Sequence, residues 1–312
     1  MLNRRSLLTA GAGAAVAYAL PPAAMAQTPG SADARLDAVL DRIFYADVDD
    51  SPERATSLGL DTGARAALKR RLDDRSVEHK QAQLFRQRGQ LQALRQIPRA
   101  EVSPRRRVDY DSVDYQLTTA VEGGEHFSFG SVGGRYSPYV ISQLTGAYQD
   151  VPDFLDNQHK VQTSDDAEAY LDRLRAFPVA IRQDLDRQRH DASRGVFAPD
   201  FGLDLTLSQM KALRDQPPGQ TVLAQSLGRK AKDAGLAGDW AARAEAIVAQ
   251  EVFPALDLQL ALVQELKSRA VHDAGVWRLP DGDAYYAAAL ASATTTRLSP
   301  AEVHQLGLDQ VG

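Results

Sequence analysis

Histidine and carboxylate side chains are the groups in this chain that could bind a metal or transfer protons. A zinc site built on one helix places two ligands three or four residues apart, so that both project from the same face. No two histidines approach this spacing, because the nearest pair is separated by 31 residues. Glu302 and His304 are two residues apart and would point to different faces of a helix. The six histidines are His79, His126, His159, His190, His272 and His304.

Other catalytic patterns are absent as well. The chain has no cysteine, which excludes disulfides, thiol nucleophiles and cysteine-bound metals. Beyond the N-terminal leader there is no G-x-S-x-G, P-loop or intact G-x-G-x-x-G motif. A metal site would require distant residues such as Glu125, His126 and His159 to come together, and a structural hydrogen bond is the simpler role for each histidine. We therefore assign no catalytic and no metal-binding residue.

A glycine-rich segment, EGGEHFSFGSVGGRYSPY, occupies residues 122–139. Its glycines favour a loop or a short hairpin, because glycine is unfavourable inside helices. Loops often carry binding residues, so Glu125, His126 and Tyr136 could line a cleft. The alternative that the sequence leaves open is a surface hairpin that covers the helices.

A second polar segment, LPDGDAYYAAALASATTTRLSP, predicts a turn followed by an alanine-rich helix. Tyrosine and threonine hydroxyls can orient a polar ligand such as a peptide backbone. Tyr285, Tyr286 and Thr295 are therefore candidate substrate-binding residues. The alternative is structural: Asp283 would cap the helix, one tyrosine would enter the core, and the threonines at 294–296 would form a turn between two helices.

Helices must position these residues, because helical periodicity dominates the chain after residue 30. Leu36, Val39 and Ile43 mark the apolar face of a first helix. The sequence predicts an all-α fold, a multi-helix array of long helices partly kinked at Pro178 and Pro254, with one glycine-rich loop or short hairpin. Further helices are predicted over about 109–121, 206–215, 221–235 and 239–270.

The composition predicts no nucleic-acid partner, and the N-terminus predicts export. The 36 Lys and Arg against 41 Asp and Glu leave no basic excess to neutralise phosphates. Residues 1–26 read as a cleavable export signal with a twin-arginine pair, Arg4 and Arg5, and an A-x-A cleavage site at Ala24 and Ala26. The 14-residue apolar run between them is shorter than the ~20 residues that a membrane span needs. We expect a periplasmic or secreted protein without a transmembrane span.

Several segments, taken in order, resemble the bacterial family catalogued as domain of unknown function 885. They are SPERATSLGLD, SPYVISQLTGAYQDVPDFL, DDAEAYLDRLRAFP, GVWRLPDGDAYYAAAL and TTTRLSPAEVHQLGLDQV. The last two are the most specific. The resemblance implies an exported, α-helical, zinc-metallopeptidase-like protein of the carboxypeptidase Taq type, near twice this length. Its zinc motif, a His-Glu-x-x-x-His-type helix in the C-terminal half, is absent from this chain.

The resemblance therefore implies that residues 27–312 are the N-terminal helical part of a larger peptidase-like domain, truncated at the C-terminus. Ser299, Pro300 and Glu302 start a helix that continues in relatives. On this interpretation the chain is not catalytic alone, zinc is expected only with a C-terminal half, and the partners are that half and a peptide substrate. The alternative is a non-enzymatic periplasmic helical protein that binds a peptide or a partner.

Overall fold

The computed structural model of the protein describes residues 30–131 and 136–312, which form twelve α-helices and no strand. The all-α fold class is thus confirmed. The predicted export signal with Arg4, Arg5, Ala24 and Ala26 lies outside the described residues and stays a prediction. The helices are α1 (Ala32–Asp50), α2 (Pro52–Ser57), α3 (Val77–Arg95), α4 (Arg107–His126), α5 (Ala147–Asn157), α6 (Ser164–Ser193), α7 (Asp200–Arg214), α8 (Val222–Asp233), α9 (Trp240–Ile247), α10 (Phe253–Ser268), α11 (Gly282–Thr294) and α12 (Pro300–Val311).

Helix α6 is the central element of the main core. It begins with a capping box in which Thr163 and Asp166 satisfy each other's backbone N–H groups. Tyr170, Leu174 and Phe177 are completely buried along one face, at the spacing of three or four residues that the helical period requires. Helices α5, α8, α9 and α10 pack against α6, and their apolar side chains form one continuous cluster.

The most apolar stretch is the continuous helix Trp240–Ser268, which joins α9 to α10 through a π-helical turn at Val248–Val252. Within the described residues, it is the one stretch whose length and composition would suffice to cross a membrane. Half of its apolar window is buried inside the protein, and Leu256 and Val263 belong to the main core. Packing in the core therefore accounts for its composition.

The glycine-rich segment begins inside a helix, which corrects the expectation of a loop over residues 122–139. Helix α4 continues through Gly123 and Gly124 to His126. A Cβ atom on Gly124 would lie 2.9 Å from Cδ1 of Leu84 on α3, so glycine lets the two helices approach closely. This packing offsets the low helix propensity of glycine. A short hairpin follows, closed by two backbone hydrogen bonds between Ser131 and Ser137.

A buried arginine joins the N-terminal elements to α6. Arg173 is fully buried, and its guanidinium also lies 4.8 Å from the ring centre of Phe154. Four of its five hydrogen-bond acceptors come from α2, from the 3-10 turn Gly63–Arg70 and from the residue after that turn, so this side chain links the N-terminal segment to α6. The fifth acceptor, on His159, lies between α5 and α6. The five acceptors are the carbonyl oxygens of Pro52, Leu68 and Arg71, the hydroxyl of Thr56 and Nδ1 of His159.

Two carboxylates lie near this arginine. The N–H of Glu53 donates to Oδ1 of Asp73 (3.0 Å), and the N–H of Asp73 donates to Oε1 of Glu53 (3.1 Å). Burial, together with the negative charge of Asp73, raises the pKa of Glu53 from 4.5 to about 7. The folded protein therefore holds this proton more tightly than the unfolded chain does. The resulting stabilisation is complete below the unfolded pKa and is lost as the pH rises through the folded pKa.

Glu53→Gln is expected to flatten this part of the pH dependence of stability. Glutamine keeps an acceptor for the N–H of Asp73 but does not ionise. Between about pH 5 and pH 8, the wild-type chain should lose roughly 1–3 kcal/mol more free energy of unfolding than the variant, since each unit of pKa shift corresponds to ~1.4 kcal/mol. Urea unfolding at both pH values measures the difference. Glu78→Gln, on the exposed first turn of α3, is the matched control, and equal losses in wild type and Glu53→Gln would contradict the assignment.

Helix α12 begins as the sequence predicts. Ser299 and Glu302 form the capping box, and Pro300 occupies the first helical position. None of the residues of α12 is buried, and Leu306 and Leu308 are about half exposed, at 49% and 53%. The helix thus presents apolar side chains on its surface.

Candidate functional site

A groove between α4 and α11 is the candidate binding site. It consists of two adjoining cavities of about 310 and 410 Å³ that share Thr119. Helix α11 contributes Ala284, Ala288 and Ala291, whose small side chains leave space beside α4. The hydroxyl of Tyr115 donates a 2.6 Å hydrogen bond to the carbonyl oxygen of Ala291 and so ties the two helices together.

The smaller cavity, which we call the Glu122 cavity, carries the polar groups of the glycine-rich segment. Glu122 and His126 are four residues apart on α4 and therefore share a face. The hydroxyl of Tyr136 donates to the carbonyl oxygen of Thr119 (3.4 Å). Burial, and then the negative charge of Glu122, raises the pKa of Tyr136, so the phenol stays protonated at neutral pH. The full lining is Thr119, Glu122, Gly123, His126, Phe127, Tyr136, Ala284, Ala288 and Ala291.

The larger cavity contains one of the predicted substrate-binding residues, Thr295. This threonine follows α11 with a φ of 54°, a left-handed conformation that is uncommon for a β-branched residue. Asp111 lies in the same cavity, where Arg99 donates two hydrogen bonds to its carboxylate, both at 2.5 Å. These hydrogen bonds lower the pKa of Asp111. The full lining is Asp111, Ser112, Tyr115, Gln116, Thr119, Ser292 and Thr295.

The two adjacent tyrosines have different environments. Tyr285 is buried, and its hydroxyl donates to the carbonyl oxygen of Ser131 (2.9 Å). Burial raises its pKa well above the ordinary value. Its ring lies 5.0–5.3 Å from the rings of Phe127, Phe129 and Tyr136. Tyr286 is half exposed, at 50%. Neither tyrosine lines either of the two cavities of the groove, and the role of Tyr285, Tyr286 and Thr295 in substrate binding stays a prediction.

The structure does not bring Glu125, His126 and His159 together. Glu125 points to α3, where its carboxylate pairs with Arg88 at 2.7 Å. His159 is buried; its Nδ1 accepts from Arg173 (2.8 Å), so its Nε2–H donates to the carbonyl oxygen of Asp166 (2.9 Å). Burial, and then the positive charge of Arg173, lowers the pKa of His159 to about 4. The ring is therefore neutral at pH 7, and both nitrogens are occupied.

No metal-binding cluster forms in the part of the chain that the structure describes. Across residues 30–131 and 136–312, no three His, Cys, Asp or Glu side chains are placed to hold one ion. Residues 1–29 and 132–135 contain none of these four residue types.

Residues 52–312 match the family model described as bacterial protein of unknown function (DUF885). The chain belongs to this family. The DUF885 chain is also similar to a solved structure described as "The crystal structure of the putative lipoprotein from Colwellia psychrerythraea", with 20% sequence identity and a TM-score of 0.77. The match covers 90% of this chain and 49% of that one, so the chain spans about half the length of the solved protein. At this identity the likeness shows the fold alone. No curated protein matches the chain.

The DUF885 chain carries a polar stripe on α4 that the sequence analysis missed. Tyr115, Thr119, Glu122 and His126 follow one another at intervals of three or four residues, which places them on one face of the helix. The signal was present in the sequence. The glycines that follow Glu122 favour a loop and so conceal it.

Proposed function

We propose that this chain forms the N-terminal helical scaffold, and one wall of the substrate cleft, of an exported zinc-dependent peptidase-like protein. The zinc ligands and the carboxylate that activates water would lie in a C-terminal half outside these 312 residues. The observation that carries the proposal is the fold match, which covers 90% of this chain but 49% of the solved lipoprotein from Colwellia psychrerythraea.

Two further features support a metal site in a C-terminal half that packs on this scaffold. The described carboxylates and imidazoles do not converge on a metal position, so the ligands of a catalytic zinc are expected elsewhere. Helix α12 has no buried residue and exposes Leu306 and Leu308, which provides an apolar surface for further polypeptide to pack on.

The twin-arginine-like leader and the description of the similar protein as a lipoprotein support export to the periplasm or beyond.

A peptide-cleavage assay tests this proposal. The purified 312-residue chain, supplied with zinc, is expected to release no product from a mixed fluorogenic peptide library above a chelator-treated blank. A full-length DUF885 protein assayed in parallel is expected to cleave, because it would contain the metal-binding half. Robust, chelator-sensitive turnover by the short chain would place the chemistry within it and contradict the proposal.

The groove between α4 and α11 favours a second candidate function. Its two cavities, of about 310 and 410 Å³, are large enough for side chains of a bound peptide, so the chain would act as a periplasmic peptide- or partner-binding protein without enzymatic activity. Inactivity of a full-length relative in the cleavage assay, combined with saturable peptide binding by the short chain, would favour this candidate over the first.

A further inference from the structure

The Glu122 cavity presents hydrogen-bond acceptors and few donors. The hydroxyl proton of Tyr136 is engaged by the carbonyl oxygen of Thr119, which leaves the phenol oxygen free to accept. The Thr119 hydroxyl donates within α4, to the carbonyl oxygen of Tyr115 (3.0 Å), and its oxygen can likewise accept. The carboxylate of Glu122 only accepts. His126 adds, in its neutral form, one donor and one acceptor.

The described lining of this cavity carries one carboxylate, that of Glu122. No lysine or arginine lies among its described lining residues. The other carboxylates of α4 are paired with arginines: Asp109 with Arg106, Asp111 with Arg99, Asp114 with Arg95 and Glu125 with Arg88. Within residues 30–131 and 136–312, Glu122 is the carboxylate of α4 that has no ion pair and no hydrogen bond. It lines the cavity on the solvent-exposed side, and Arg95, which pairs with Asp114, acts on it electrostatically without a hydrogen bond.

The walls of the cavity suit an aliphatic chain. Ala284 and Ala288 on α11 and Phe127 after α4 supply apolar surface next to Glu122. Long cationic side chains bind in this way, with the methylene stem on apolar surface and the charged end on polar groups. The three side chains that line this cavity with acceptor oxygens, Thr119, Glu122 and Tyr136, suit a compact ammonium with three donors better than a planar guanidinium.

We propose that the Glu122 cavity binds a primary alkylammonium group, carried either by a small free amine or by a lysine side chain of a peptide. The ammonium donates to Glu122, to the phenol oxygen of Tyr136 and to Thr119, while the methylene chain lies against Ala284 and Ala288. If the proposed function holds, the protein would prefer peptides whose lysine side chain enters the Glu122 cavity, and this preference rests on the proposed function. The binding of an ammonium group to the cavity does not depend on it.

Calorimetric titration of the full chain tests the proposal. Butylammonium chloride is expected to bind saturably, whereas sodium butyrate and butanol, which lack the cationic donor, are not. Glu122→Gln should weaken butylammonium binding about tenfold, the effect of losing one charge-assisted contact. Glu125→Gln is the matched control, because this carboxylate lies on the same helix but pairs with Arg88 outside the cavity. Equal binding by wild type and Glu122→Gln, or an equal loss in Glu125→Gln, would overturn the proposal.

A second variant tests the location without changing charge. Ala288→Leu fills the space beside Glu122 and is expected to abolish butylammonium binding, while circular dichroism and the melting temperature show that the fold is kept. Retained binding in this variant would place the ligand elsewhere and overturn the proposal.

Peptides then distinguish the two sources of the ammonium. Tighter binding of acetyl-Ala-Lys-Ala-amide than of its norleucine analogue would identify a peptide side chain, and binding of butylammonium but of neither peptide would identify a free amine. These measurements involve no catalysis. Failure of the short chain to bind amines would overturn this inference alone, whereas peptide cleavage by the short chain would overturn the proposed function alone.

Discussion

Arg173→Ala is expected to lower the free energy of unfolding by about 3–5 kcal/mol. The alanine variant leaves the carbonyl oxygens of Pro52, Leu68 and Arg71 buried without their donor. Burial lowers the pKa of Arg173 to about 10, so the guanidinium still carries its charge at neutral pH. Its removal also takes away the positive charge that faces Asp61, Glu53 and Asp73.

Urea unfolding of the wild type, Arg173→Ala and Arg175→Ala measures this effect. Arg175 lies two residues further along α6, is half exposed and pairs with Asp172, so its loss should cost less than about 1 kcal/mol. If Arg173→Ala does not fold, Arg173→Lys keeps the charge with fewer donors and is expected to show an intermediate loss. A cost for Arg173→Lys no larger than that of Arg175→Ala would contradict the role given to the buried guanidinium.

Tyr285→Ala is expected to cost about 3–5 kcal/mol, because it removes a buried aromatic ring from the cluster that holds the hairpin on α11. Tyr285→Phe keeps the ring and loses only the hydrogen bond to Ser131, for a cost of roughly 1 kcal/mol. Tyr286→Ala, at the neighbouring half-exposed position, should cost less than about 1 kcal/mol. Unfolding curves and amide exchange over residues 127–139 report the three values.

This series also separates stability from ligand binding. A loss of peptide binding in Tyr285→Ala would not by itself identify a substrate contact, because the hairpin that contributes Tyr136 to the Glu122 cavity would be loosened as well. Tyr285→Phe is the informative variant for binding. A cost for Tyr285→Ala as small as that for Tyr286→Ala would show that Tyr285 does not anchor the hairpin.

Local rules predicted those parts of the fold that depend on neighbouring residues. The start of α12 follows from Ser299, Pro300 and Glu302, which cap any helix in the same way. The long helices after residue 200 were predicted to within about six residues at each end, because their apolar periodicity is strong. The hairpin after His126 followed from its glycines.

The rest depends on contacts between distant parts of the chain. Gly124 packs closely against Leu84, forty residues earlier in the chain, and no local rule contains that information. Likewise Arg173 bonds to Thr56, which lies 117 residues away. Helical periodicity placed Tyr285 and Tyr286 on one helix but did not show which of them would be buried. The Glu122 cavity was missed for a related reason, since its polar stripe crosses the point at which the helix was expected to end.

Zinc analysis of the purified chain tests the central claim most directly. The chain would be incubated with one equivalent of zinc, dialysed against a weak chelator and measured by elemental analysis. Because its imidazoles and carboxylates do not converge on one position within the described residues, we expect far less than one zinc ion per chain. Retention of one zinc ion per chain would show that this polypeptide builds a metal centre by itself, and would contradict the proposal that it supplies only scaffold and a cleft wall.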